Sequence, residues 1–243
     1  MTSASGAVAL RSSTDGFLSR LIGVVRRPRI TFQAVAASPR WVGLLALLTV
    51  ATAGSQAMLL ATGVGQQALV DQWESTALAF GQDVDDARYE QFQALSRNGA
   101  AYGVATALVS GPVLTLVVAT VVFLSFRRVG NVAFAQVLSV IAHASVILAL
   151  RQVIAAPVNY ARETTASATS LGVWFPTLDE ASPVSRFVGA LDVFVLWWVV
   201  VLALGVAVLY RRKARTLAAT FVGVYVGVAL LLAVAMASLG GTA

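Results

Sequence analysis

Four polar side chains stand inside otherwise apolar stretches of this chain and are the first candidates for chemistry: Gln136, His143, Arg151 and Asp192. Ionisable groups within a membrane helix are costly and mark either a function or a buried pair. Arg151 lies six residues before Pro157 and Asp192 five residues inside the start of the next apolar run. At about 1.5 Å of rise per residue, both fall at matching depth near the same boundary. They are expected to pair, as a salt bridge between two helices or as part of an ion or proton relay. Gln136, Ser139 and His143 recur at helical spacing and form a polar stripe that must look into a bundle rather than at lipid. His143 is expected near mid-membrane, either hydrogen-bonded as a neutral imidazole to a neighbouring helix or acting as a proton carrier.

Other chemistry finds no residues to run on. The sequence has no Cys and one His, so thiolate sites, thiol nucleophiles and imidazole metal triads are excluded. It has no phosphate-binding Gly-rich loop, no GxSxG elbow and no HExxH helix. Asp83, Asp85, Asp86 and Glu90 lack the alternation and central Gly of a calcium loop. They read as a solvated, helix-capping face. No enzyme activity, cofactor or metal is expected.

The elements that must position these side chains follow from composition. Of 243 residues, 58% are hydrophobic and 12% charged, and mean hydropathy is +0.81. A soluble domain carries about 25% charged residues. A bilayer core of about 30 Å needs roughly 20 apolar residues per helix. Five stretches qualify, at 41–63, 101–126, 132–154, 187–210 and 216–239, and the expected fold is an all-α, five-span bundle forming one domain over 41–240. The first is too long and begins too late to be a signal peptide.

The charges sort by segment. Residues 1–40 (Arg11, Arg20, Arg26, Arg27, Arg29, Arg40), the turn at 127–131 (Arg127, Arg128) and the turn at 211–215 (Arg211, Arg212, Lys213, Arg215) hold twelve of the 17 basic residues and only Asp15 of the 11 acids. Positive residues stay on the cytoplasmic side. Five spans with the amino terminus inside and the carboxyl terminus outside satisfy every segment. The net charge of +6 is then a sign of orientation rather than of nucleic-acid binding.

Before the first span, Asp15 can cap a short helix with Phe17, Leu18, Leu21, Val24 and Val25 on one side and Arg20, Arg26 and Arg27 near the other, closed by Pro28. That pattern fits a helix lying on an anionic leaflet and equally one packed on the inner ends of the spans. Residues 64–100 are expected to form a helical outer cap, and 155–186 an irregular loop with Pro157, Pro176 and Pro183 that presents Trp174 and Phe175 to the interface. Gly99, Gly103, Ala107 and Gly111 lay a ridge of small residues along the second span, and Ala219, Gly223 and Gly227 repeat it on the fifth. Such ridges allow close helix contact, within the chain or between two copies. Pro112 is expected to kink the second span.

Three pieces carry a family resemblance. They are the stretch from Arg27, Pro28 and Arg29 through Phe32 to Pro39, the segment Leu171 to Phe175, and the run from Leu191, Asp192, Val193 and Phe194 to Trp197 with Gly205 beyond. Together the chain resembles the Yip1 family of polytopic membrane proteins, from about Arg26 to Leu231. The resemblance implies a cytoplasmic amino terminus, five spans and, for Pro28, Phe32, Asp192 and Trp197, positions typical of the family with an architectural role. Eukaryotic members act in vesicle traffic through Rab-type GTPases, but the Asp-Leu-Tyr-Gly-Pro motif of that branch is missing here. The excess of Arg over a single Lys, with abundant Ala and Val, points to a GC-rich bacterial genome and to its cytoplasmic membrane.

Two functions remain open from sequence. One is a non-enzymatic membrane protein that binds or organises other membrane proteins or anionic lipids through a basic patch of Arg26, Arg27, Arg29, Arg211, Arg212, Lys213 and Arg215. The other is a small transporter or channel lined by Gln136, His143, Arg151 and Asp192.

Overall fold

A computed structural model describes residues 19–164, 167–175, 177–178 and 182–239. The Asp15 cap, Phe17, Leu18 and Pro176 lie outside them. The described residues are all-helical: α1 over 19–26, α2 (Pro28–Ala37), α3 (Val42–Leu60), α4 (Gly63–Ala79), α5 (Asp86–Ser96), α6 (Gly99–Phe126), α7 (Phe134–Ala144), α8 (Val146–Ala161), α9 (Pro183–Ala190), α10 (Val193–Leu209) and α11 (Ala214–Leu239). A 3₁₀ turn spans Leu171–Trp174.

Among the described residues, four helical units are long and apolar enough to cross a membrane: α3, α6, the α7–α8 pair taken as Phe134–Ala161, and α11. α10 is equally apolar but has only 17 residues. The apolar run at 187–210 therefore divides. Its first residues belong to α9, the chain breaks at Leu191 and Asp192, and the long helix starts at Val193. The reason is local: the Asp192 carboxylate accepts from the backbone N–H groups of Phe194 and Val195 and so begins a new helix. The connection expected at 155–186 is also more regular at its two ends than an irregular loop. α8 continues through Pro157 to Ala161, and Ser182 caps α9 by accepting from the Ser185 N–H, with Pro183 in the first turn.

The centre of the bundle is the most buried unit. Val137, Val140, Ile141, Ala144 and Ile147 of the α7–α8 pair are fully enclosed, against Ala203 and Val206 of α10 and Ala119 of α6. Val24 of α1 and Phe32 and Val35 of α2 belong to the same core with no exposure. Part of the apolar face of the amino-terminal helices is thus spent on the bundle, while Ile22, Val25 and Ile30 remain exposed. Gly205 makes that possible: a Cβ there would stand 2.6 Å from Val140 Cγ1 and 3.2 Å from the Phe32 ring.

The ridge on α6 packs as expected for most of its length. Gly99, Gly103 and Ala107 are buried, and Cβ atoms at the two glycines would press on Leu60 and Gln56 of α3. Gly111 has only Thr49 near it, at 4.0 Å, and Gly223 and Gly227 of α11 have nothing within 4 Å. Those two glycines are not a packing surface in this chain, because the ridge they form faces away from the neighbouring helices. α6 itself runs unbroken across Pro112. After α3, Thr62 and Asp85 cap α4 and α5; Trp73 of α4 joins them through a tilted contact with Phe92 of α5 and meets α6 by edge contact with Tyr102 at 5.3 Å.

Replacing Gly205 by Val should lower stability by about 1–3 kcal/mol through overpacking, whereas Gly223→Ala and Gly227→Ala should cost nothing. Thermal unfolding of the three variants in detergent checks this, and equal losses at all three positions would contradict the assignment.

Candidate functional site

Asp192 organises the polar centre at one end of the bundle. It is 5% exposed, and a carboxylate so enclosed is costly unless each oxygen is supplied with donors. Oδ2 accepts from Arg151 Nε at 2.9 Å, Ser167 Oγ at 2.6 Å and Thr169 Oγ1 at 2.6 Å. Oδ1 accepts from the Phe194 and Val195 N–H groups at 2.9 and 3.2 Å. Five donors, one of them cationic, favour the ionised form. Arg151 also donates from Nη2 to Ser167 Oγ at 2.7 Å, so the hydroxyls and the guanidinium hold one another in place.

The backbone around Asp192 is fixed as firmly as the side chain. Residues 170 and 192 face each other in an antiparallel bridge, with the Leu171 N–H donating to the Leu191 carbonyl at 2.7 Å and the Val193 N–H to the Thr169 carbonyl at 3.1 Å. Tyr225 of α11 accepts from the Asp192 N–H at 2.9 Å and donates to the Ala190 carbonyl at 3.0 Å. Ser170 Oγ donates to the Gly189 carbonyl, and Arg186 of α9 donates to the Met236 carbonyl of α11. The site thereby joins α8, the connection at 167–171, the α9–α10 junction and α11.

Arg151 and Asp192 are therefore together, but not as two groups buried inside parallel spans. Asp192 is the N-cap of α10, and Arg151 reaches it from the middle of α8 with its side chain 28% exposed. Composition alone does not reveal Ser167, Thr169 and Tyr225. The first two lie in a non-periodic connection, and the only signal for Tyr225 is a lone phenol in an apolar helix.

The polar stripe on α7 does other work. Gln136 sits in the first turn. Its Nε2 donates to the Ala36 carbonyl at the end of α2 at 2.9 Å, while its Oε1 accepts from the Ala133 N–H. His143 is 2% exposed, and its Nδ1 lies 2.7 Å from the carbonyl of Ser139, one turn earlier on its own helix. The expected bond to a neighbouring helix is replaced by this local one, because a backbone carbonyl four residues back is within reach of an imidazole. Pro28 opens α2 and Phe32 fills the space over Gly205. Trp197 stands beside Phe194 with ring centres 5.8 Å apart, at the edge of the core.

At the other end of the bundle a cleft of about 1050 Å³ takes residues from all three basic segments: Arg29 of α2, residues 129–132 after α6, and Arg211, Arg212 and Lys213 after α10. Arg26, Arg27 and Arg215 are exposed but do not line it.

The pieces of sequence that stand far apart thus meet in pairs, Phe32 on Gly205 and Leu171 on Leu191. A family model described as the Yip1 domain matches residues 22–236. No curated protein and no solved structure matches the chain.

A double-mutant cycle on Arg151→Met and Asp192→Asn should give a coupling of about 1–3 kcal/mol in unfolding free energy. Asp192→Ala, which removes the helix cap as well, should cost about 3–5 kcal/mol. Additive single effects in the cycle would show that the pair is not an energetic unit.

Proposed function

The chain belongs to the Yip1 family, and from that membership we propose that it is a non-enzymatic integral membrane protein that binds or organises other membrane proteins or lipids. The observation that carries this reading is how the interior polar groups are spent. Asp192 has five donors, Gln136 is committed to Ala36 and Ala133, and His143 bonds to its own helix. Asp192 and Gln136 are absorbed in holding elements together, and His143 in a bond within α7. The basic cleft is lined by Gln136 but by none of His143, Arg151 and Asp192. A transport route would instead leave such groups facing a common cavity.

The proposed topology has five crossings with the amino terminus in the cytoplasm and the carboxyl terminus outside, in a bacterial cytoplasmic membrane. α10 counts as the fifth crossing: its 17 residues extend about 26 Å at 1.5 Å per residue, close to the thinner end of bilayer cores. The convergence of Arg29, the 129–132 turn and the 211–213 turn on one cleft supports placing all three basic segments on one side, since basic residues are retained inside. The partners would meet this basic side, and no nucleic acid, cofactor or second copy is needed.

The absence of native cysteine makes topology directly measurable. In intact cells, Asn131→Cys and Lys213→Cys should resist a membrane-impermeant maleimide, and Asp86→Cys and Arg162→Cys should react. Proteoliposomes should show no solute flux that depends on Asp192. Labelling of the first pair from outside would overturn the orientation, and Asp192-dependent uptake would overturn the binding reading in favour of transport.

A further inference from the structure

The cleft at the basic end has the chemistry of a specific ligand site rather than of a generally positive surface. Its mouth holds Arg29, Arg211, Arg212 and Lys213, all exposed, and no acidic residue lines it. Among the described residues none of these four side chains makes a hydrogen bond or an ion pair. The sequence offers them little by way of partners, because no Asp or Glu occurs at 16–70, 91–162 or 193–243. Leu204 and Val208 from the last turns of α10 and Val132 give the cleft an apolar wall, beside the amide side chains of Gln33, Asn131 and Gln136. Tyr210, also in the wall, is 7% exposed, and its hydroxyl has no hydrogen-bond partner.

The backbone at Arg211 adds an independent sign. α10 ends in a Schellman-type turn, with the Arg212 N–H donating to the Ala207 carbonyl at 2.9 Å and the Tyr210 N–H to the Val206 carbonyl. The residue at its left-handed position, which is usually Gly, is Arg211 with φ of 53°. An arginine there carries a conformational cost that a glycine would not. Such cost is characteristically retained where a side chain has a task at a ligand site.

We propose that this cleft binds the phosphate headgroup of an anionic phospholipid, with the four cations around the phosphate and an acyl chain along the Leu204–Val208 wall. Cations supply charge-assisted bonds to phosphate oxygens, and Arg is suited to phosphate by its planar fork of donors. A free phosphate would satisfy the mouth but leave the apolar wall unused, which is why a lipid is the assigned source. The inference rests on the binding reading of function and narrows it to one ligand class.

The test uses the full chain in detergent micelles with native mass spectrometry. Micelles are doped with dioleoylphosphatidylglycerol or dioleoylphosphatidylcholine, and inorganic phosphate is added as a competitor. A single retained phosphatidylglycerol, with little phosphatidylcholine, is expected. Each cation removed should weaken retention about fivefold, so Arg212→Gln with Lys213→Gln should lose about 25-fold. Arg211→Gly relieves the left-handed backbone while deleting the charge, and should lose lipid with an equal or higher melting temperature. Arg127→Gln with Arg128→Gln, basic residues that do not line the cleft, should keep it. Equal retention of both lipids, equal loss in the Arg127 and Arg128 variant, or no loss in Arg211→Gly would overturn the proposal. Full displacement by millimolar phosphate would overturn the lipid as its source. These outcomes are separate from Asp192-dependent flux, which would count against the function itself.

Discussion

One buried carboxylate sets one end of this protein. A charge in an apolar surrounding is costly by several kcal/mol after relaxation, and Asp192 remains acceptable only while five donors converge on it. Those donors come from α8, from the connection at 167–169 and from the first turn of α10. The requirement therefore fixes where α10 begins, how the connection folds back and how deep Arg151 must sit. Once α10 is positioned, Gly205 is presented to Phe32, and the amino-terminal helices close over the opposite end.

The two ends are built by different physics. At the Asp192 end, directional hydrogen bonds hold short, irregular pieces against the long helices, with Tyr225 bringing in α11. At the basic end, apolar packing of α1 and α2 on α7 and α10 does the same task, assisted by Gln136 bonding to Ala36. Among the described residues, the side chains of Arg29, Arg211, Arg212 and Lys213 there make no hydrogen bond or ion pair. The enclosed charge of Asp192 is thus fully supplied with donors, whereas the buried Tyr210 hydroxyl at the basic end has no partner.

Much of this was legible in the sequence, for definable reasons. Long apolar runs located α3, α6, the α7–α8 pair and α11, because a 20-residue apolar stretch has few other uses. Matching depth located Arg151 beside Asp192. The start of α10 was not legible, since Phe187 and Val188 of α9 are as apolar as the helix that follows and hydropathy does not register a cap. The destination of the amphipathic segment was undecidable, because a leaflet and a bundle reward the same pattern. Spacing made Gly223 and Gly227 resemble Gly99 and Gly103, yet only the latter pair has a helix against it. Ser167 and Thr169 were invisible, as hydroxyls in a connection carry no period.

The claim that a single carboxylate holds the connection, the cap and the α9–α10 junction together is most directly tested by amide hydrogen exchange on Asp192→Ala in detergent. If the account is right, protection falls together at Leu171, Val193, Phe194 and Val195, the amides of the bridge and of the cap. Loss confined to Phe194 and Val195, with Leu171 and Val193 as protected as in the unaltered chain, would mean that Asp192 only caps a helix and that this end of the bundle is held by something else.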